Sequence, residues 1–188
     1  MKQAAVLLLM LSITAMQSSA QSEADMKAMQ EYMTPGPMHQ WMARHAGTWE
    51  AEINSWMGPG EPMKSKATEV VTITMNGLYQ LSHLTGNIMG MAFEGRGTMA
   101  YDNAKKQFVL CWIDNFSSGI IMMTGWYDEP TKTLHFKGTQ TNPVTGKDSK
   151  LRQEQKFITD DHYILTMYGE GPDGNEMKMM EGHFKKKQ

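Results

Sequence analysis

The sequence predicts an all-β protein: a single antiparallel up-and-down β-barrel of about ten strands, with a short N-terminal helix capping one end. After Gly47, β-prone segments alternate regularly with clusters of Gly, Pro, Asn and Asp, a pattern typical of a sandwich or barrel. No helical pattern separates consecutive strands, which excludes parallel βαβ units. Short connections favour a meander, and closing the sheet removes its exposed edges.

The N-terminus has the three parts of a secretory signal. Lys2 is followed by an apolar run over 4–16, and Ser18 and Ala20 place small residues at −3 and −1 of a cut after Ala20. The apolar run is too short to span a membrane. We therefore expect export, to a periplasm or out of the cell. The predicted organisation is a signal peptide at 1–20, a flexible lead-in at 21–36 and a β-barrel domain at 37–188.

Composition excludes several classes of function. The chain has 18 basic and 20 acidic residues, a net charge of −2, and no basic patch of the kind that nucleic acid requires. Its one cysteine, Cys111, rules out an internal disulfide. No second long apolar segment follows the signal, so we expect no membrane span in the mature chain. No pattern indicates an oligomeric state.

A short helix is predicted over 37–46. Pro37 suits the first helical position, and Gly47 suits the position after the helix end. Apolar residues recur at i, i+3, i+4 and i+7 and form one helical face. The residues of that face are Met38, Trp41, Met42 and His45.

The rest of the chain is predicted to form strands that end at turn residues. Asn76-Gly77, between two β-prone segments, is a strong hairpin signal. Gly95 and Gly97 within one strand suggest a sharp bend. The predicted strands are 48–56, 66–75, 78–85, 91–101, 107–114, 120–127, 133–141, 149–159, 163–169 and 176–185.

Gly47-Thr48-Trp49 lies where the helix passes into the first strand. A Gly-x-Trp at this junction resembles the first-strand signature of lipocalin-type barrels, in which the tryptophan closes one end of the barrel. We therefore assign Gly47 and Trp49 structural roles. In those barrels a late arginine lies over the tryptophan, whereas the last strand here offers only lysines.

Polar side chains among apolar ones mark candidate binding residues. Alternation puts Glu94 on one face of its strand and Phe93 and Gly95 on the other. Trp112 and Asp114 share a face, and together would give a pocket an aromatic wall and a carboxylate. Burying a carboxylate inside the barrel costs free energy unless the carboxylate is paired, so an inward-facing one would indicate a binding site. The alternative is that these carboxylates face solvent. The predicted ligand-binding residues are Met89, Met91, Glu94, Trp112, Asp114 and Glu181.

Methionine is unusually frequent, with 20 among 188 residues. Thioethers are soft ligands suited to Cu(I), and methionine also fills irregular cavities and lines promiscuous binding surfaces. Met89 with Met91, and Met177 with Met179, are i, i+2 pairs, so each pair faces one side of its strand. This spacing favours a cavity lining over a copper site, and no metal site is predicted.

No catalytic constellation is recognisable. The six histidines never form H-x-H or H-E-x-x-H, and no G-x-S-x-G is present. Catalytic residues and cofactors therefore remain unassigned. A histidine acting as an axial haem ligand inside the barrel, or a buried carboxylate acting as a general base, remains open.

Several short stretches together resemble one bacterial family, the domain-of-unknown-function 1579 family, over residues 34–186. The resemblance implies a calycin-like antiparallel barrel and no assigned activity, and the family supplies no catalytic residues. The stretches that carry it are Thr34-Pro35-Gly36-Pro37-Met38-His39, Gly47-Thr48-Trp49-Glu50-Ala51-Glu52, Thr85-Gly86-Asn87-Ile88-Met89-Gly90-Met91-Ala92-Phe93-Glu94-Gly95, Gly97, Tyr101-Asp102-Asn103, Trp112-Ile113-Asp114, Asn142-Pro143-Val144-Thr145-Gly146-Lys147, Asp160-Asp161-His162 and Gly171-Pro172-Asp173-Gly174.

The function that these observations favour is non-enzymatic binding of a small apolar or amphipathic ligand inside an exported barrel. One alternative is an enzyme or haem-binding barrel that uses a buried carboxylate or a histidine. Another is a methionine-rich protein of the cell envelope that handles copper.

The signal assignment is testable by expressing the full chain in a secreting bacterial host. Intact-mass measurement of the exported protein should show a chain beginning at Gln21, because the small residue Ala20 permits cleavage after it. An Ala20→Arg variant should remain uncut. Retention of the unmodified chain as full-length protein in the cytosol would contradict the assignment.

Overall fold

The computed structural model describes residues 22–58, 60–88, 90–171 and 173–188. The chain divides into two units, residues 1–34 and 35–188. In the first unit residues 22–33 form helix α1, which takes up much of the predicted lead-in. The predicted signal peptide lies outside the described residues.

The second unit contains helix α2 (Pro37–Arg44), ten strands and a short 3-10 helix (Met75–Gly77) between β2 and β3. The strands are β1 Gly47–Ser55, β2 Met63–Thr74, β3 Tyr79–Ile88, β4 Met91–Asp102, β5 Gln107–Asp114, β6 Ile121–Asp128, β7 Thr133–Thr141, β8 Asp148–Thr159, β9 His162–Glu170 and β10 Glu176–Lys186.

The ten strands form one closed antiparallel barrel. Each strand pairs with the next along the chain, and β1 pairs with β10 to close the sheet. The predicted up-and-down barrel with one short helix before it is thereby confirmed. Closure leaves no strand with an unpaired edge.

Residues that face each other across neighbouring strands lie on the same face of the sheet, so the register separates interior from exterior. Buried Trp49 faces Lys186 on β10 and Glu69 on β2, and Glu69 faces Leu84 on β3. The series continues on β4 with Gly95 and on β5 with Asp114. These residues lie on what we call the interior face, and their immediate neighbours in sequence lie on the outer face.

Helix α2 seals one end of the barrel with an aromatic cluster. The Trp41 ring centroid lies 5.8 Å from that of Phe108, 4.7 Å from Tyr127 and 5.0 Å from Phe157. Met42 beside it has no exposed surface. Pro37 occupies the start of the helix, where its missing N–H costs no hydrogen bond. We call this end of the barrel the α2 end.

Trp49 joins α2 to the first and last strands. Its indole is fully buried and donates from Nε1 to the His45 carbonyl oxygen at 3.1 Å. Lys186 Nζ lies 5.6 Å from the Trp49 ring centroid and donates to the Arg44 carbonyl oxygen at 3.1 Å. A lysine of the last strand thus lies over Trp49.

Gly47 makes this packing possible. Its φ is +138°, and a Cβ at this position would lie 2.6 Å from Cε of Lys186. A larger residue would therefore be strained and would displace the lysine.

In the described ranges, no helix is both long enough and apolar enough to cross a membrane.

His45 at the α2 end should make folding stability depend on pH. Burial lowers the pKa of its imidazole from 6.5 to about 4, against a smaller opposing effect of its hydrogen bond to the Trp41 backbone. The unfolded chain therefore binds a proton between about pH 6.5 and pH 4 that the folded chain does not. Stability falls as the pH drops through this window, by about 3 kcal/mol in total.

Urea unfolding at pH 7.5 and pH 4.5 measures this effect. His45→Gln should lose about 2–3 kcal/mol less on acidification than the unmodified protein. His83→Gln, which replaces a histidine on the outer face, is the control and should behave like the unmodified protein. An equal loss in all three proteins would contradict the assignment.

Candidate ligand-binding site

The two ends of the barrel differ in the burial of their interior-facing side chains. At the α2 end Trp49, Phe108 and Leu134 are at most 1% exposed. At the opposite end, which we call the distal end, Met91 is 51% exposed and Trp112 is partly exposed. Solvent therefore reaches the interior face at the distal end.

Trp112 lies against two glycines on the neighbouring strand. Gly97 faces it directly in the β4–β5 register. A Cβ on Gly95 would overlap Cζ2 of the indole, and a Cβ on Gly97 would lie 3.2 Å from Cε3. The Gly-x-Gly spacing thus provides room for an aromatic ring inside the barrel, whereas the sequence suggested a strand bend.

Asp114 holds the indole in place. Trp112 Nε1 donates to Asp114 Oδ2 at 2.8 Å, and the Phe116 N–H donates to Oδ1 at 3.0 Å. Because each carboxylate oxygen accepts about two hydrogen bonds, both retain capacity for a further donor. The predicted pairing of an aromatic wall with a carboxylate is present at the distal end.

Glu94 lies on the outer face, apart from Trp112 and Asp114. Its Oε1 is 3.0 Å from His83 Nε2 and accepts from Arg96 Nη2 at 2.9 Å. The hydrogen bonds from Arg96 and then His83 hold the pKa of Glu94 below its ordinary value. The residues on either side, Phe93 and Gly95, face inward, so the alternation directs Glu94 outward.

Glu181 also lies on the outer face. It accepts from Lys178 Nζ at 2.9 Å and lies 3.4 Å from His183 Nε2. The bond from Lys178 is the main cause that lowers the pKa of Glu181. Exposed ion pairs of this kind contribute little stability, and neither carboxylate faces the barrel interior.

Two methionines, Met89 and Met91, are predicted to bind ligand. Met91 is the first residue of β4 and faces inward at the rim of the distal end. Met89 lies outside the described residues. The structure thus brings Met91, Trp112 and Asp114 to one end of the interior and leaves Glu94 and Glu181 outside.

A carboxylate that the sequence analysis did not select lies deeper in the barrel. The Tyr163 hydroxyl donates to Glu69 Oε2 at 2.6 Å, and Ser82 also hydrogen-bonds Glu69. Burial raises the pKa of Glu69 above its ordinary value of 4.5, with these two hydrogen bonds opposing the rise. Burial, followed by the charge of Glu69, raises the pKa of Tyr163 well above 10.

Other polar groups line the same interior face. Gln153 is only 7% exposed, and Gln155 hydrogen-bonds Tyr163. Ser65 Oγ and Gln80 Oε1 are buried and have no hydrogen-bond partner. Because buried polar atoms are nearly always paired, each of the two indicates a position where water or a ligand group completes the bonding.

Strand histidines lie on the outer face. His83 and His183 adjoin interior-facing Leu84 and Phe184, and His135 and His162 adjoin interior-facing Phe136 and Tyr163. None of the histidines in the described strands therefore faces the interior. Nor do the described residues hold a group of three or more His, Cys, Asp or Glu placed to bind a metal ion.

Two grooves occur on the barrel surface. One of about 470 Å³ lies over β2–β5 and includes Val70, Leu81 and Ile113 from the outer face. The other, of about 580 Å³, lies over β7–β10 and includes Lys137 and Arg152. Neither groove is lined by Trp112, Asp114 or Glu69, although Ser82 and Gly97 beside them line the first.

Comparison with known sequences decides the family. The model of the family described as "Protein of unknown function (DUF1579)" matches residues 34–186. The chain belongs to this family. The match includes α2, all ten strands and each interior residue named above, and it confirms the resemblance inferred from the sequence.

One solved structure supports the fold of this DUF1579 protein. The crystal structure of Rv2717c from M. tuberculosis is similar with a TM-score of 0.62 at 11% identity, covering 82% of this chain and 100% of that one. A redesigned β-barrel gives a TM-score of 0.42 at 12% identity, covering 78% of this chain and 95% of that one. No curated protein matches the sequence.

One sequence signal could have identified Glu69. Ser65, Ala67, Glu69, Val71 and Ile73 occupy alternate positions on one face of β2. A carboxylate between Ala67 and Val71 on a largely apolar face is unusual in a half-buried strand. Its partner Tyr163 is 94 residues away, so the sequence alone did not link the two.

The Gly95 position yields a stability prediction. Gly95→Ala should lower the free energy of unfolding by about 1–3 kcal/mol, because the new Cβ would displace the Trp112 ring. Gly119→Ala is the matched control, since nothing lies within 4 Å of a Cβ there. Urea unfolding measures both, and equal changes in the two variants would contradict the packing described.

Proposed function

We propose that this DUF1579 protein is an exported barrel that binds a small apolar or amphipathic ligand in its interior, entering at the distal end. The observation that carries the proposal is the difference in burial between the two ends. Fully buried aromatic residues and α2 seal one end, whereas Met91, Trp112 and Asp114 face inward at the other and remain accessible. The signal peptide predicted at residues 1–20 supports export.

The composition of the accessible interior supports the same proposal. Ligand sites combine apolar walls with a few polar groups that fix orientation. Trp112, Met91 and Met167 supply the apolar wall, and Asp114 and Glu69 supply polar groups.

An enzymatic role is the second candidate, and the Glu69–Tyr163 pair favours it. A buried carboxyl with a raised pKa suits a general base or acid. The haem alternative has less support, since the strand histidines face outward.

The copper alternative also has less support, because the described methionines are spread over the molecule. Met42 and Met123 are buried, Met75 lies in the turn before β3, and Met122 is 53% exposed on the outer face. This distribution favours packing and lining roles.

Binding of the neutral amphipathic fluorophore N-phenyl-1-naphthylamine tests the proposal. The purified protein should enhance its fluorescence, and Trp112→Ala should weaken binding about tenfold, since losing an aromatic wall costs roughly 1.4 kcal/mol. Circular dichroism establishes that the variant remains folded.

The matched control is Trp126→Ala, which removes a tryptophan that lies on the outer face, is 48% exposed and stacks on His135. Its affinity should equal that of the unmodified protein. No enhancement with the unmodified protein, or an equal loss in both variants, would overturn binding at the distal end.

A further inference from the structure

The interior face carries an imbalance of charge. In the described strands the ionisable acidic and basic side chains that face inward are Glu69, Asp114 and Lys186. Lys186 lies at the α2 end, where its ammonium group donates to the Arg44 carbonyl oxygen. Neither carboxylate has a cationic partner among the described residues, so the described interior face carries two carboxyl groups without a counter-charge.

Glu69 is the deeper of the two carboxylates. It faces fully buried Trp49 on β1 and buried Leu84 on β3. The hydrogen bonds from Tyr163 and Ser82 occupy two of about four acceptor positions on its oxygens. Capacity for a strong donor remains on a group that is kept largely from water.

Two other side chains of the interior face carry unpaired acceptor atoms: Ser65, four positions before Glu69 on β2, and Gln80, which faces Ile73, four positions after it. Gln80 Oε1 can only accept, and Ser65 Oγ is able to accept through its lone pairs. The interior therefore combines excess acceptors with unbalanced negative charge. The group that complements both is an ammonium, which carries three N–H donors and a positive charge.

The apolar wall lies between Glu69 and the distal end. Glu69 lies six positions along β2 from Met63 at that end, a length of roughly 20 Å. Leu110, Trp112 and Met167 face the interior within the barrel wall. An extended apolar tail of about eight carbons is shorter than this length.

We propose that the barrel interior binds an amphipathic amine, with its ammonium group on Glu69 beside Tyr163 and its apolar tail directed toward Trp112 and the distal end. This inference rests on the proposed function and specifies the class of ligand. An anionic amphiphile with the same tail binds more weakly, because its carboxylate meets the carboxyl groups of Glu69 and Asp114 and, on the described interior face, no unpaired cation.

Three ligands with the same tail test the inference: octylamine, 1-octanol and octanoate. Isothermal titration calorimetry at pH 7.5 should show octylamine binding at least tenfold more tightly than octanoate, with octanol between them. Glu69→Gln should reduce octylamine affinity about tenfold and change octanol affinity less than threefold. Glu94→Gln, which alters a carboxylate on the outer face, should match the unmodified protein.

The outcomes separate the inference from the proposed function. Binding of all three ligands with equal affinity, or tighter binding of octanoate, overturns the amine preference while leaving interior binding in place. An amine preference that survives Glu69→Gln and disappears in Asp114→Asn overturns the deep position of the head group. Failure of all three ligands and of the fluorophore to bind overturns both.

NMR on the unmodified protein gives a second readout that does not depend on a variant folding. The methylene next to the octylamine nitrogen should show nuclear Overhauser effects to the Tyr163 ring, and the terminal methyl should show them to Trp112. The reverse pattern would overturn the head-first orientation.

Discussion

Pairing of β1 with β10 is the constraint on which the rest of the structure depends. It closes the sheet, so every strand residue must face either the interior or solvent. The same pairing brings Lys186 opposite Trp49, and the lysine then reaches the Arg44 carbonyl oxygen at the end of α2. The residues that close the sheet therefore also hold α2 in place, and they seal only the end of the barrel at which α2 lies.

Closure also explains why large and small residues alternate around the interior. A barrel has limited room inside, so a ring or thioether packs where the adjacent strand lacks a Cβ. Trp112 lies over Gly95 and Gly97, Phe136 lies against Gly125, and Met179 lies over Gly169. These glycines provide space for neighbours across the sheet, and substitution there acts through packing rather than through backbone freedom.

The sequence predicts the fold well because its signals are local. Turn residues mark strand ends, and period-two alternation marks faces, so ten strands and the shared face of Trp112 and Asp114 were predictable. Alternation does not say which face is inside, so the pattern groups Glu94 with residues from which the barrel wall separates it. Glu69 was missed because its significance depends on Tyr163, and only the three-dimensional register brings these distant residues together.

Ionisation of buried Glu69 destabilises the folded state, and no cationic side chain among the described residues neutralises its charge. Its raised pKa means that the folded state holds the proton more tightly than the unfolded state. The free energy of unfolding therefore decreases as the pH rises above the ordinary value of 4.5, until Glu69 is ionised in the folded state as well. Hydrogen bonds from Tyr163 and Ser82 reduce this cost, but a counter-charge would reduce it further, and Lys186 is directed elsewhere. A cationic ligand would supply that charge, and by mass action its binding would also stabilise the fold.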